Sequence, residues 1–441
     1  MTVHDVVVVG AGLAGLTAAY DLTARGADVL VLEARGRVGG RVRGVPLGRG
    51  LVADGGAAYL GERHTAVREL LDRFGLATVS ADEEGESVFS LPDRSRSPFR
   101  IPPYDAAALG SLFEALHELA GAVDPQRPHA AGRELHELTA GQWIRRRVED
   151  PGALAFAPLY LGQLIAADPD DLSALCLGFY LRSGGGLRFL NAFRSGAQEF
   201  RVAGGAQRIA ESLAGALDRP PVLDSPVMRV EATATGVSAV TEHGVHRASV
   251  AVVALPPPLA AGVCATATAT AGAVRGRVVK THLLFDRPVW REHGLSGWSL
   301  NDRGPLMYTV DSSNADGPGV LTGLVTGQRA GEFAVLPAPR QESAVRRQLA
   351  AVFPELPPPV AIVVTDWVTS RYSSGCYATL WGPGRWGGPP RPAEPASRVV
   401  RCGSETSAEF YGFMEGAVRS GHRAAEQVWT VLAQSLQEDR R

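Results

Sequence analysis

Apolar and polar positions alternate along the chain in ways that mark out its elements before any residue is counted. Residues 5–10, "DVVVVG", form a short β-branched run of the kind a strand buried on both faces requires. In the following "GAGLAGLTAAYDLTARG", Leu16, Ala19 and Tyr20 recur at helical spacing, and Gly26 marks the stop. "DVLVLE" predicts a second strand, ending at Glu33. Residues 81–135 then mix charge, proline and alanine-rich helical pattern, and residues 151–195 add leucine-rich helical segments. "FRVAGGAQRIAESLAGAL" at 200–217 reads as a glycine turn that opens a helix. From Asp224 to Pro258 the pattern predicts several short strands, with "EHG" as a turn and the proline run ending the last of them. Near the carboxyl end, Met414, Ala417, Val418, Gly421, Ala425 and Val428 share one helical face.

Composition narrows the class. A chain of 441 residues, 45% hydrophobic and 20% charged, suits a soluble globular protein of two or three domains. The formal charge of -2 gives no footprint for nucleic acid or an anionic membrane surface. No apolar run approaches the roughly 20 residues needed to span a bilayer, and the amino terminus carries no secretion signal, so a cytoplasmic protein is expected. Cys176, Cys264, Cys376 and Cys402 lie far apart without a CxxC pair, which argues against disulfides and against a zinc site. The histidines show no metal-ligand spacing; His243 and His246 flank a hairpin turn and are expected in solvent. No metal is expected.

The first chemistry lies in the glycines. Gly10, Gly12 and Gly15 have the GxGxxG spacing between a strand and a helix, with Glu33 closing the next strand. In such a unit Gly10 permits the tight turn, Gly12 lets backbone approach a pyrophosphate, and Gly15 lets helix and strand pack closely. The helix amino terminus offers N–H groups to the phosphates, and Glu33 would accept bonds from the adenosine ribose. With "EARGRVGGRV" and "GLVADGGAAYLG" following, the sequence resembles the flavin-containing amine oxidase family. That resemblance implies FAD, with Arg41 at the phosphates, Arg35 near the adenosine end, Gly40 in the double-glycine turn, and Gly56, Ala57 and Tyr59 passing beside the flavin. It also implies that Val227 lies by the adenine and Ala254 by the cofactor. No second GxGxxG appears, so electrons are expected from the organic substrate.

Two further segments resemble the same family. "RCGSETSAEFYGFMEGAVRSG" carries its closing motif, implying that Gly403, Ser404, Glu405 and Met414 hold the cofactor and that the last helix aims its positive end at the flavin. "DWVTSRYSSGCYATLWGPG" at 366–384 is similar to monoamine oxidases, in which a Trp nine residues before a Cys-Tyr pair helps hold a lysine and a water near the flavin. Trp367, Cys376 and Tyr377 fit. By this resemblance Tyr377 and Phe413 are two facing aromatic walls that deliver an amine to the ring, Phe413 standing where those oxidases typically have tyrosine. Cys376 occupies the position at which some members attach FAD covalently; a thioether there and a buried free thiol beside noncovalent FAD both remain open.

Of the 44 basic residues, 43 are arginine and one is lysine, Lys280. A GC-rich genome thins lysine generally, but this one falls in "VVKTHLLFDRPVWRE", which resembles the family strand whose lysine reaches the reactive flavin nitrogen through water. A buried ammonium there would help dioxygen accept electrons.

The expected fold is therefore α/β: a Rossmann-like FAD-binding domain (1–80, 196–265 and 393–441) interleaved with a sheet-plus-helices substrate domain (81–195 and 266–392). The expected reaction transfers hydride from a C–H next to nitrogen to FAD, giving an imine or iminium, and dioxygen restores FAD with hydrogen peroxide. A small-molecule amine or amide is the expected partner, and a homodimer is allowed for. An L-amino-acid oxidase would draw its carboxylate cation from Arg63, Arg182 or Arg194. A natural-product tailoring oxidase that cyclises its iminium would use Glu62 or Tyr180 as acid or base. The loop Glu62-Arg63-His64 is expected to face solvent. A flavin-binding scaffold without turnover is the alternative of a different class.

Overall fold

The computed structural model describes residues 3–438 apart from 49, 82–83, 92, 234, 265–269, 315–316, 374, 387 and 390–396. Two of the expected domain boundaries, at 265 and 392, lie outside the described residues.

The β-branched runs become the centre of a six-stranded sheet. Val3–Val9 (β1) pairs in parallel with Val29–Leu32 (β2) on one side and with Gly244–Val253 on the other. The sheet continues antiparallel through Val237–Thr241 to Val227–Ala232, and Val399–Arg401 joins Gly244–Val253 in parallel. Three distant stretches of chain thus build one sheet. Val6, Val7 and Val8 are fully buried because helices or strands cover both faces. β1 stops one residue earlier than the sequence pattern suggests, since Gly10 has already turned to φ +101. Leu13–Thr23 (α1) and the long helix Met414–Glu438 pack against each other on one face of this sheet, burying Leu16, Ala18, Val418 and Ala425.

A second sheet has seven strands in the order Ala361–Asp366, Val278–Phe285, Gly319–Thr326, Tyr308–Asp311, Leu295–Asn301, Glu86–Ser90, Arg94–Ser97. Every residue of Val278–Phe285 is buried. Helices Ala106–Gly121, Pro151–Ile165 and Ala174–Ser183 form a separate apolar cluster with Trp143, Phe179 and Tyr411. A small sheet of Tyr59–Leu60, Phe200–Val202 and Thr78–Ser80 lies at the seam. The fold is mixed α/β, with a Rossmann-like region and a sheet-and-helix region.

No described helix is long and apolar enough to cross a membrane. Among the described residues no group of His, Cys, Asp and Glu could hold a metal ion, and all four cysteines are free thiols. His243 is exposed and His246 half-buried beside the turn.

Candidate active site

The glycine turn is fixed by packing at two points and open at a third. A Cβ on Gly15 would lie 2.1 Å from the Gly10 carbonyl oxygen and 2.9 Å from the Ala254 Cβ, and one on Gly10 would meet the Ala254 carbonyl oxygen at 3.0 Å. Gly12, by contrast, has nothing nearer than Gly40 Cα at 4.0 Å, so its open side faces the cavity described next. Gly12 also caps α1 without a side-chain bond, and no acid sits in the first turn, which leaves N–H groups for an anion. Glu33 is buried, its two carboxylate oxygens held by the N–H groups of Ala11 at 2.8 Å and Arg35 at 3.0 Å. Each oxygen keeps a lone pair for a ribose hydroxyl.

From this turn a cavity of about 500 Å³ runs between the two large sheets. Its nucleotide end is lined by Gly10, Gly12, Glu33, Arg35, Gly40, Arg41, Val227 and Ala254. Gly56, Ala57, Cys376, Gly403, Ser404 and Met414 line its middle. Lys280, Tyr59, Tyr180, Tyr377 and Phe413 line the far end. Gly15, Trp367, Glu405 and Glu62 do not line it. The first three support residues that do, whereas Glu62 is exposed and is removed as an acid or base for anything bound inside.

Arg41 does not stand free for phosphate. Its fork meets both Glu405 oxygens at 2.7 Å, and it also donates to Ser404 Oγ at 3.1 Å and to the Tyr377 carbonyl at 2.8 Å. Despite burial, the charge of Glu405 holds the Arg41 pKa above its ordinary value, and Arg41 in turn holds the buried Glu405 carboxyl below its own. Arg35 reaches Ser370 Oγ, Ser373 Oγ and the Tyr372 carbonyl, tying the segment before Cys376 across the adenosine end.

Lys280 sits on the inner strand of the seven-stranded sheet, opposite Leu324 and Thr365. It is 7% exposed, and its ammonium donates to the carbonyls of Asp54 at 3.0 Å and Gly56 at 2.7 Å. Trp367 donates to the carbonyl between them, Gly55, at 2.6 Å. Three successive carbonyls are thereby fixed, and one ammonium hydrogen remains for the cavity. Burial lowers the Lys280 pKa; Asp54 and Cys376 oppose that fall and Arg201 adds to it. Burial also raises the Cys376 thiol, against the charges of Lys280 and Arg41.

Tyr377 has φ +61, in the strand Cys376–Trp381 where pairing with Ala273–Gly276 shifts register. Such a bulge re-aims a side chain, and the strained backbone is held by the Arg41 bond to the Tyr377 carbonyl. The Tyr377 hydroxyl meets that of Tyr308 at 3.0 Å. Phe413 follows Gly412, which approaches strand Cys376–Trp381 so closely that a Cβ would lie 2.7 Å from Ala378 Cβ. Tyr180 backs Phe413 at 5.8 Å between centroids and donates its hydroxyl to the Leu164 carbonyl at 3.0 Å. With that bond, and with burial raising its pKa, Tyr180 is a wall rather than the acid or base the sequence suggested. His64 also departs from expectation: Arg63 is exposed, but His64 is 1% exposed, edge-on to Phe189 and Phe410 and 6.0 Å from Phe413. Burial lowers its pKa to about 4.

Arg63, Arg182 and Arg194 are all exposed and line no part of the cavity. Tyr308, Gln163, Gln198, Leu190, Leu324 and Arg201 do line it, and sequence reasoning did not find them. They come from helices, strands and a loop without a motif, and only their fold neighbours reveal them.

The glycine cradle, the uncapped helix start, the fixed Glu33 and the inward ammonium fit a flavin dinucleotide laid along the cavity. Residues 13–429 match the family model for flavin-containing amine oxidoreductases. A protein of Mycobacterium tuberculosis described as a flavin-containing monoamine oxidase, AofH, is 34% identical over 97% of both chains. The chain belongs to the flavin-containing amine oxidoreductases. Human flavin-containing amine oxidase B is 27% identical over 96% of this chain and 86% of its own. Among solved structures, cyclohexylamine oxidase from Brevibacterium oxydans has a TM-score of 0.90 at 28% identity, covering 99% of this chain and all of that one. Putrescine oxidase bound to putrescine has 0.89 at 28% identity, covering 97% and 99%. Like other members, this oxidoreductase uses FAD to oxidise the C–H next to an amine nitrogen, with dioxygen as acceptor and hydrogen peroxide as product. That activity sets aside a scaffold without turnover.

Proposed function

We propose that Lys280, Tyr377 and Phe413 form the reacting end of the cavity, supported by Trp367, and that the substrate is an amine with an apolar body. One observation carries this reading: the solitary lysine of the chain lines the cavity with its ammonium bound to two backbone carbonyls, which leaves one of its three hydrogens for a ligand. FAD, when bound, would supply the hydride acceptor for the substrate carbon and the route of the electrons to dioxygen. The glycine turn, Glu33, Arg35 and Ser404 would hold the nucleotide, with Arg41 on the same wall fixing Glu405 and Ser404, and the amino terminus of Met414–Glu438 would face the ring. Tyr377 and Phe413 exclude water and orient the amine nitrogen, whose neutral form they accept between their ring faces. Leu164, Leu190, Val310 and Leu324 supply the apolar lining beyond them. The Lys280 ammonium, with its pKa lowered by burial, supplies positive charge and a proton where dioxygen is reduced.

Anaerobic mixing of the yellow protein with a panel of amines tests the activity through bleaching, and Lys280→Met tests the assignment. Reoxidation by dioxygen should slow on the order of 10²-fold while flavin reduction changes far less; unchanged reoxidation in stopped flow removes Lys280 from this role. We also propose a thioether between Cys376 Sγ and a ring-methyl carbon of the flavin, in which the thiol and the methyl group would each lose one hydrogen and the two electrons would leave to dioxygen, supported by the thiol's place on the cavity wall. Yellow colour should then stay with acid-precipitated protein, and colour wholly in the supernatant excludes the bond. The interleaved domain division, a homodimer and a cytoplasmic location without nucleic-acid or membrane partners belong to the same reading.

A further inference from the structure

Arg201 is a buried cation with no carboxylate in hydrogen-bonding contact among the described residues. It is 9% exposed and lines the cavity from the small strand Phe200–Val202, directly across from Tyr59, which lines the same cavity. Directly paired residues on adjacent strands project to the same face. Nη1 donates to the Ser312 carbonyl at 2.9 Å and Nη2 to the Ser313 carbonyl at 2.7 Å, while Nε has no partner. A guanidinium carries five N–H donors, so three remain, and among the described residues no carboxylate pairs with it. The acids on the cavity wall are Glu33, at the nucleotide end, and Asp54. Asp54 spends one oxygen on the Ala206 N–H at 2.8 Å, and its charge acts on both Lys280 and Arg201, so a single carboxylate is shared by two cations. Lys280 is the second cation on the same wall. A buried charge left this way is costly unless something bound completes it.

We propose that Arg201 selects the substrate: an amine whose end remote from the reacting nitrogen carries an oxygen acceptor, a carboxylate best of all, and not a second ammonium. The inference rests on the proposed function and deepens it by naming the substrate class. A remote carboxylate would take the free guanidinium hydrogens, with the Ser312 hydroxyl, which accepts from Thr322 at 2.7 Å and keeps its own hydrogen, as a further donor on the adjoining wall. A second ammonium would meet the Arg201 cation, with the one nearby carboxylate, Asp54, already shared between Arg201 and Lys280, a like-charge contact that opposes binding.

The test compares three straight-chain amines of equal length: an alkyl monoamine, an ω-amino acid and an α,ω-diamine. Anaerobic stopped flow gives the Kd from the concentration dependence of bleaching and, separately, the limiting rate. In the wild-type enzyme the ω-amino acid should bind tightest and the diamine weakest, each step about tenfold. Arg201→Gln should compress that order to about threefold or less, with the change concentrated in Kd, and Arg201→Lys should restore it in part. A wild-type diamine that binds as tightly as the monoamine overturns the inference, and this reading stands even if Arg201→Gln fails to fold. So does an Arg201→Gln enzyme that keeps the wild-type order while bleaching uniformly faster or slower, because the charge then serves the flavin. Failure of every amine to bleach the protein sinks the proposed function and this inference with it, whereas bleaching with a diamine-first order sinks the inference alone.

Discussion

The two ends of the cavity are built from different materials. At the nucleotide end backbone does the holding: three glycines, an uncapped helix start and an acid whose oxygens are pinned by N–H groups, all within residues 9–35. At the other end side chains form the wall, and they come from residues as distant as Tyr59, Tyr180, Arg201, Lys280, Tyr308, Tyr377 and Phe413. A backbone site fails when any atom is added where there is no room. A side-chain site is adjusted one residue at a time, which is how one fold serves amines as different as those oxidised by its relatives.

The harshest way to break this contrast is Gly15→Val. The new Cβ would overlap the Gly10 carbonyl oxygen at 2.1 Å. Backbone there cannot yield, so destabilisation of more than about 3 kcal/mol is expected, with loss of flavin absorbance in the purified protein and a lowered melting temperature. A yellow, normally stable variant would show that this end tolerates side-chain change after all.

Acid should weaken the substrate end next. His64 packs behind Phe413 with its pKa lowered from 6.5 to about 4, so the folded protein binds its proton less readily than the unfolded chain does. Its contribution is fully present above pH 6.5 and is lost as pH falls through about 4, up to about 3 kcal/mol. Denaturant melts between pH 7 and pH 4 measure the slope, and His64→Gln should flatten it. An unchanged slope would mean that other groups carry the acid sensitivity.

The smallest effect is expected from Tyr308→Phe, which removes the hydroxyl partner of Tyr377 but leaves both rings. A loss of about 1 kcal/mol, seen as a change of about fivefold or less in KM, is expected. A collapse of kcat instead would promote the hydroxyl pair from wall to machinery.

These differences track what could be read from sequence. The strands at β1 and β2, the glycine turn and Glu33 were legible because their physics is local: β-branched runs, a fixed glycine spacing and an acid at the next strand end. The closing segment from Gly403 to Met414 was legible through its motif, and Lys280 through its solitude. Residues without a local signature were misjudged. Glu62 and His64 lie two positions apart, yet one faces water and the other is 1% exposed, which helix packing decides. Tyr180 was read as an acid or base because nothing local reveals that the Leu164 carbonyl takes its hydroxyl.

By itself the sequence determined the strand, glycine turn and helix at the start of the fold and the chemical class, since both follow from short-range patterns that backbone geometry enforces. Tertiary structure alone decided that Arg41 answers to Glu405, that Trp367 and Lys280 clamp three successive carbonyls, and that Arg201 lines the cavity whereas Arg63, Arg182 and Arg194 do not. The reason is that burial, charge pairing and spare hydrogen-bonding capacity are properties of neighbours in space, and those neighbours lie tens to hundreds of residues away along the chain.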